Sequence, residues 1–254
     1  MLGASLMSQD RSHGTEDVFR RLVMEIELVL HAAASIDQHL SQEAMALLKK
    51  MNINGSVVVI NFDSDELPSC GLACSIGIGG FGIVFMNRVI LSNPNIPEEA
   101  KNFILAHEVA HIARSHLLPR ITFRFVAGLI AKILDEIARS QEEAESFSAS
   151  FLLRLISTLL LSITLGVIGE ADRQIVRQEE LEADDMAITL AGCGGAIWFT
   201  KVLEWLRSQG VEVSHESILG FPALTIDERV KMIYQRCQRS WPAARLGFEG
   251  VPVT

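Results

Sequence analysis

Ala106-His107-Glu108-Val109-Ala110-His111 sets two histidines four residues apart around a glutamate. On a helix, residues i and i+4 project from one face a turn apart, so both imidazoles can reach a single metal ion. Glu108, beside the first histidine, stands where a carboxylate can take a proton from a metal-activated water. The competing reading is a pair of ordinary helix-face histidines, and the surrounding sequence favours chemistry. Ile96-Pro97-Glu98-Glu99 reads as a helix start, with proline near the first helical position and two acids at the positive end of the helix dipole. Phe103, Ile104, Ala106, Ala110 and Ile112 then give that helix an apolar face to bury.

Two histidines make half of a site. A catalytic zinc takes three protein ligands and keeps one position for water, so a third ligand has to come from elsewhere in the chain. The candidate stretch is Arg177-Gln178-Glu179-Glu180-Leu181-Glu182-Ala183-Asp184-Asp185, on a helix expected to end at Gly192 and Gly194. Glu179, Glu180 and Glu182 all carry a carboxylate that can ligate. Only Glu180 has an acid one turn on, at Asp184, because Ala183 and Met186 occupy that place for the other two. An acid so placed can accept a hydrogen bond from a ligand histidine and fix its tautomer. Glu180 is therefore the favoured third ligand and Asp184 its support.

His107-Glu108-Val109-Ala110-His111 followed by His116, then Arg177-x-x-Glu180-x-Glu182-Ala183-Asp184, resembles the metallopeptidase family of the CAAX prenyl proteases, the heat-shock protease HtpX and their soluble periplasmic relatives. The paired motifs H-E-x-x-H and E-x-x-A-D carry the resemblance, which covers roughly residues 56 to 235. It implies one zinc ion held by His107, His111 and Glu180, Glu108 as general base, and Arg177 beside Asp184 in support of the ligands. It further implies an α+β, mainly α, gluzincin-like fold: a small β-sheet beside the H-E-x-x-H helix, and a hydrophobic helical hairpin inserted between the zinc motifs. The chain departs from the family at Phe221-Pro222, ahead of Arg229, where family members often carry a His-Pro pair.

Composition bounds the rest. A chain of 254 residues, 49% hydrophobic, is long enough for one substantial core, so 1–254 is expected to form a single metallopeptidase domain, with N-terminal helices over 1–55 and the hydrophobic insertion over 117–172. A net charge of −9 argues against a nucleic-acid surface. Cys70, Cys74, Cys193 and Cys237 include no C-x-x-C pair and read as buried free thiols in a reducing compartment. The first residues show no basic and apolar leader, so the expected location is the cytoplasm, or the cytoplasmic membrane with the active site facing the cytoplasm.

Along the chain, Glu16 to Lys50 carries helical apolar spacing with a break near Ser35, and Ser56 to Phe62 is a β-branched buried strand. Gly77-Ile78-Gly79-Gly80-Phe81-Gly82 spells the dinucleotide fingerprint, yet that fingerprint requires a helix after it. Ile83 to Met86 and Arg88 to Leu91 are both strand-like, so the glycines read instead as a turn or an open edge where backbones approach closely. Ile83, Val84 and Phe85 are the expected substrate edge strand. Ile121, Phe125, Leu129 and Ile133 form one stripe of an amphipathic helix, followed by an acidic connector from Asp135 to Ser146. Phe147 to Gly169 is apolar enough either to meet a membrane or to form a core helix. Thr225 to Glu228 resembles a capping box, and His215 and Arg229 are candidate donors to a developing oxyanion.

The function expected from these residues is a zinc-dependent endopeptidase acting on peptide or protein substrates. The alternative is a non-catalytic zinc-binding scaffold or a membrane-anchored regulatory protein.

Overall fold

The computed structural model describes residues 35–63, 71–140, 147–208 and 223–240. Ile36–Asp37 (β1) pairs antiparallel with Ser56–Phe62 (β2), and Gln38–Lys50 (α1) connects them. Asp37 caps α1, its Oδ1 accepting from the Leu40 amide at 2.9 Å. Leu40, Ala44 and Leu48, one turn apart, join Val57 and Val59 of β2 in the core. The first of the two N-terminal helices expected over Glu16 to Lys50 lies outside the described residues.

Ala73–Ile78 (β3) and Phe81–Asn87 (β4) form a hairpin, and β4 also pairs parallel with β2, so the strand order is β1-β2-β4-β3. Gly79 and Gly80, with φ of 61° and 88°, make the two-residue turn, where positive φ suits the twist of a hairpin. The turn sits on the C-terminal end of Glu98–Arg114 (α3). There the Gly79 amide donates to Ser115 Oγ at 2.8 Å and the Gly80 amide to the Ile112 carbonyl at 3.4 Å. Gly77 and Gly82 face the same helix: a Cβ on either would come within 2.9 and 3.0 Å of the Ile112 side chain. The glycine run thus lets the hairpin lie directly on the motif helix.

Two strand expectations are corrected here. Ile83, Val84 and Phe85 are not an open edge, since they pair with Val58, Val59 and Ile60 on one side and with Ile76, Ser75 and Cys74 on the other. The parallel partner lies well upstream, and a local pattern carries no trace of such pairing. Among the described residues, the terminal strand beside the motif helix is β3. The second correction is Arg88–Ser92 (α2), a short helix rather than a strand. Asn87 Oδ1 accepts from the Val89 amide at 2.9 Å, and this cap outweighs the β-branched residues that follow.

α3 is buried on nearly all sides, from Ala100 through Ile112, and its main packing partner is Phe147–Ser208 (α5). Phe103 and Phe199 meet with ring centroids 5.0 Å apart, and Gly195 lets the Glu99 carbonyl come into contact with α5. α5 is two helical runs joined across non-helical Gly192 (φ 84°, ψ 165°), and the apolar segment from Phe147 and the Glu180 motif share the first of them. Ile226–Ser240 (α6) packs on it and starts at the Thr225–Glu228 capping box, with the Glu228 amide 3.2 Å from Thr225 Oγ1.

Leu117–Ser140 (α4) runs through much of the stretch expected as an acidic connector and packs along α5 with its polarity reversed. Arg120 and Arg124, one turn apart, face α5, where Arg124 reaches both oxygens of the fully buried Asp172 at 3.2 and 3.3 Å. Its apolar stripe points outward: Ile121, Phe125, Leu129 and Ile133 are all at least half exposed, as are Leu159, Ile163 and Val167 on α5. Water-facing surfaces do not ordinarily concentrate large apolar side chains in this way. Among the described residues, one stretch, Ser162–Ser208, is long and apolar enough to cross a membrane by length and composition, and half of its apolar window is buried within the protein.

The cysteines correct a further expectation. Cys193, next to the kink, is bonded to Cys237 on α6 across 5.5 Å between Cα atoms, and Cys74 is disulfide-bonded as well. Cys193 and Cys237 are 44 residues apart, and only the packing of α6 on α5 brings them within bonding geometry. The inference of a reducing compartment rested on free thiols and loses that support.

Candidate metal centre

α3 and α5 cross so that His107, His111 and Glu180 converge. The Nε2 atoms of His107 and His111 are 3.1 Å apart, and Glu180 places Oε2 3.2 Å from the first and Oε1 3.4 Å from the second. Ligand atoms bound to a tetrahedral ion at about 2.0 Å lie about 3.3 Å from one another. The spacing of these donors matches that figure, and the set of two imidazoles and one carboxylate suits a divalent metal. Among the described residues this is the group of three able to hold one.

Each histidine is held from behind. His107 Nδ1 lies 2.9 Å from Asp184 Oδ1, and Arg229 grips Asp184 through Nε to Oδ2 at 2.8 Å and Nη2 to Oδ1 at 2.7 Å. Burial and the Arg229 charge push His107 towards neutrality. The Asp184 charge and the hydrogen bonds from Asp184 and Glu180 outweigh them, raising its pKa to about 9 in the metal-free protein. Burial opposes the Asp184 charge, but Arg229 and His107 hold its carboxyl below the usual range.

The second histidine has a different backing. Ser115 takes the left-handed conformation (φ 57°, ψ 36°) that ends α3, and the chain turns back so that His116 Nδ1 meets His111 Nδ1 at 2.8 Å. Burial, then the neighbouring His111 and Arg120 charges, pushes His116 down to about 3, so it is neutral. A neutral His116 accepts at Nδ1 from the His111 N–H, which leaves the His111 Nε2 lone pair for a metal. Of the three candidate acids, Glu182 faces His116 and Arg114, at 3.6 and 2.8 Å, while Glu179 pairs with Arg120. Glu180 is the one turned to both histidines. Glu108, buried next to His107, accepts a hydrogen bond from Ser75 Oγ of β3 at 2.8 Å.

A sequence model of peptidase family M48 matches residues 29–198, about two thirds of the chain. The chain belongs to peptidase family M48. This is the metallopeptidase family of the CAAX prenyl proteases and HtpX. A comparison with individually curated proteins finds no match.

In this M48 chain one expected role changes and another gains a partner. Arg177 does not touch a ligand; its Nη1 meets Glu228 Oε1 at 2.9 Å and ties α5 to the start of α6. Arg229 lies at the ligand cluster, its Nη2 3.2 Å from His107 Nε2 and its Nη1 3.9 Å from Glu180 Oε2. Its guanidinium also grips Asp184 and stacks 4.8 Å from the Phe199 ring, so it braces His107 as well. His215 and Phe221-Pro222 lie outside the described residues. Ser75 and Arg120 contribute to the M48 site without having been singled out in the sequence. A serine in a strand gives no signal. Arg120 and Arg124 did give one, because two arginines at i and i+4 on an apolar helix call for acids opposite them.

Proposed function

We propose that this M48 protein is a zinc-dependent endopeptidase with Glu108 as general base. The observation carrying the proposal is that Glu108 neighbours a ligand histidine on a buried helix yet is tied to β3, apart from the three converging donors. Three protein ligands beside a free-standing base is the pattern of a catalytic rather than a closed structural site. His107, His111 and Glu180 would hold the zinc, which would supply polarisation of the substrate carbonyl and a water nucleophilic at neutral pH. Glu108 takes the water's proton and returns it to the leaving amine. Asp184 with Arg229, and His116, keep the two imidazoles aimed at the ion. β3, the terminal strand of the sheet among the described residues, is the strand beside which an extended peptide can be laid next to α3. The test is hydrolysis of an unstructured protein such as casein with zinc bound, lost on chelation and restored by zinc. Tight zinc binding without hydrolysis would favour the scaffold reading.

The outward apolar stripe of α4 and the apolar start of α5 support a second element of the proposal, attachment to a membrane through this hairpin. Charge replacements at Phe125 and Leu129 should move the protein from the membrane to the soluble fraction. Recovery of the unaltered chain as a monodisperse soluble protein without detergent would refute the attachment.

A further inference from the structure

We propose that Ser75 is the positioning residue for the base Glu108, and that β3 thereby couples peptide docking to proton transfer. The inference rests on the peptidase reading above and adds a residue to it.

Ser75 and Gly77 lie on one face of β3, two residues apart, and meet Glu108 and Ile112, four residues apart on one face of α3. The strand therefore runs along the helix in register. At Gly77 no side chain intervenes, and a Cβ there would stand 2.9 Å from Ile112 Cγ2. Absence of that Cβ lets β3 approach closely enough for the short Ser75 side chain to span the remaining gap, 2.8 Å from Oγ to Glu108 Oε2. A hydroxyl donating to one carboxylate oxygen fixes the last torsion of the glutamate, a broad and soft one when unrestrained. It leaves the other oxygen to take the proton of the attacking water. Because Ser75 belongs to the terminal strand, its backbone and its hydroxyl move together. A peptide paired with β3 is thus held at a set distance from the base, the condition for a productive geometry in which an error of about 1 Å costs on the order of a hundredfold in rate.

The experiment compares wild type, Ser75→Ala and Ser75→Thr at equal zinc content, with casein-derived peptide as substrate and a crystal structure of each metal-free form. The expected result is that Ser75→Ala lowers kcat on the order of tenfold with KM changed less than twofold, that Ser75→Thr restores most of it, and that Glu108 occupies several rotamers only in the alanine variant. Wild-type kcat in Ser75→Ala, an equal loss in both variants, or an unmoved Glu108 in Ser75→Ala would overturn the positioning role while leaving the peptidase reading intact. Wild type that binds zinc but cleaves no peptide would overturn the peptidase reading itself, and the role of Ser75 with it.

Discussion

Arg229 holds Asp184 with two hydrogen bonds, at 2.8 and 2.7 Å, inside a protein interior where both side chains are buried. Arginine suits the place because its planar fork meets both carboxylate oxygens at once. Removing it leaves buried Asp184 with His107 as its remaining partner, and breaking such a buried pair costs about 3–5 kcal/mol in comparable cases. Arg229→Ala should therefore unfold at markedly lower denaturant and bind zinc ten- to a hundredfold more weakly. Arg229→Lys, which keeps the charge and loses the fork, should fall between. Equal zinc affinity in all three proteins, measured by competition with a chelator, would show that the pair does not support the metal.

The three neighbouring acids of α5 make different contacts, although Arg120 meets both Glu179 and Glu180, and their variants should separate too. Glu180→Ala should abolish stoichiometric zinc binding. Glu182→Ala, which removes the carboxylate facing His116 and Arg114, should weaken zinc only modestly. Glu179→Ala should lower stability through the loss of the Arg120 pair and leave zinc in place. Metal analysis after dialysis checks all three, and zinc loss on Glu182→Ala with retention on Glu180→Ala would place the ligand wrongly.

Stability of the metal-free protein should depend on pH through His107. Its folded pKa of about 9 lies above the ordinary 6.5, so its stabilising contribution is complete below 6.5 and is lost as pH rises through about 9. His116, pushed down to about 3, acts in the opposite sense, but only as pH falls below 6.5. Thermal unfolding of the metal-free protein should thus show Tm falling from pH 6.5 to about 9. The zinc-loaded protein, with His107 already deprotonated, should show a smaller slope. A metal-free Tm that is flat or rising across that window would contradict the assignment.

The Cys193–Cys237 bridge closes a loop of 44 residues, for which chain entropy gives a stabilisation of about 4 kcal/mol. In a chain of this size that corresponds to a Tm change on the order of ten degrees. Cys193→Ala should lose it, and α6, which carries Arg229, should be the first element to exchange its amides. Alkylation of the unreduced native protein should leave Cys193 and Cys237 unlabelled. Labelling of both would refute the bridge.

Legibility in the sequence followed the range of each interaction. The histidines of α3 and the pairing of Glu180 with Asp184 could be read because helical spacing places them within a single turn. The strand Ser56–Phe62, the Thr225–Glu228 capping box and the helix break at Gly192 were legible for the same local reason. What the sequence concealed depends on distant partners. The parallel pairing of β2 with β4 moved the sheet edge from Val84 to β3, and the packing of α6 on α5 joined two cysteines that look unrelated in sequence. Arg229 was legible as a functional residue, but its grip on Asp184 was not, because only the packing of α6 on α5 brings the two together.

The central claim is that Glu108 acts as a base beside a metal it does not bind, and Glu108→Gln tests this most directly, since it keeps the side chain's shape and removes its basicity. At equal, stoichiometric zinc content, the account predicts that casein hydrolysis by Glu108→Gln falls by at least about a hundredfold relative to wild type, within the range general-base catalysis supplies. Undiminished hydrolysis by the zinc-loaded variant would contradict it.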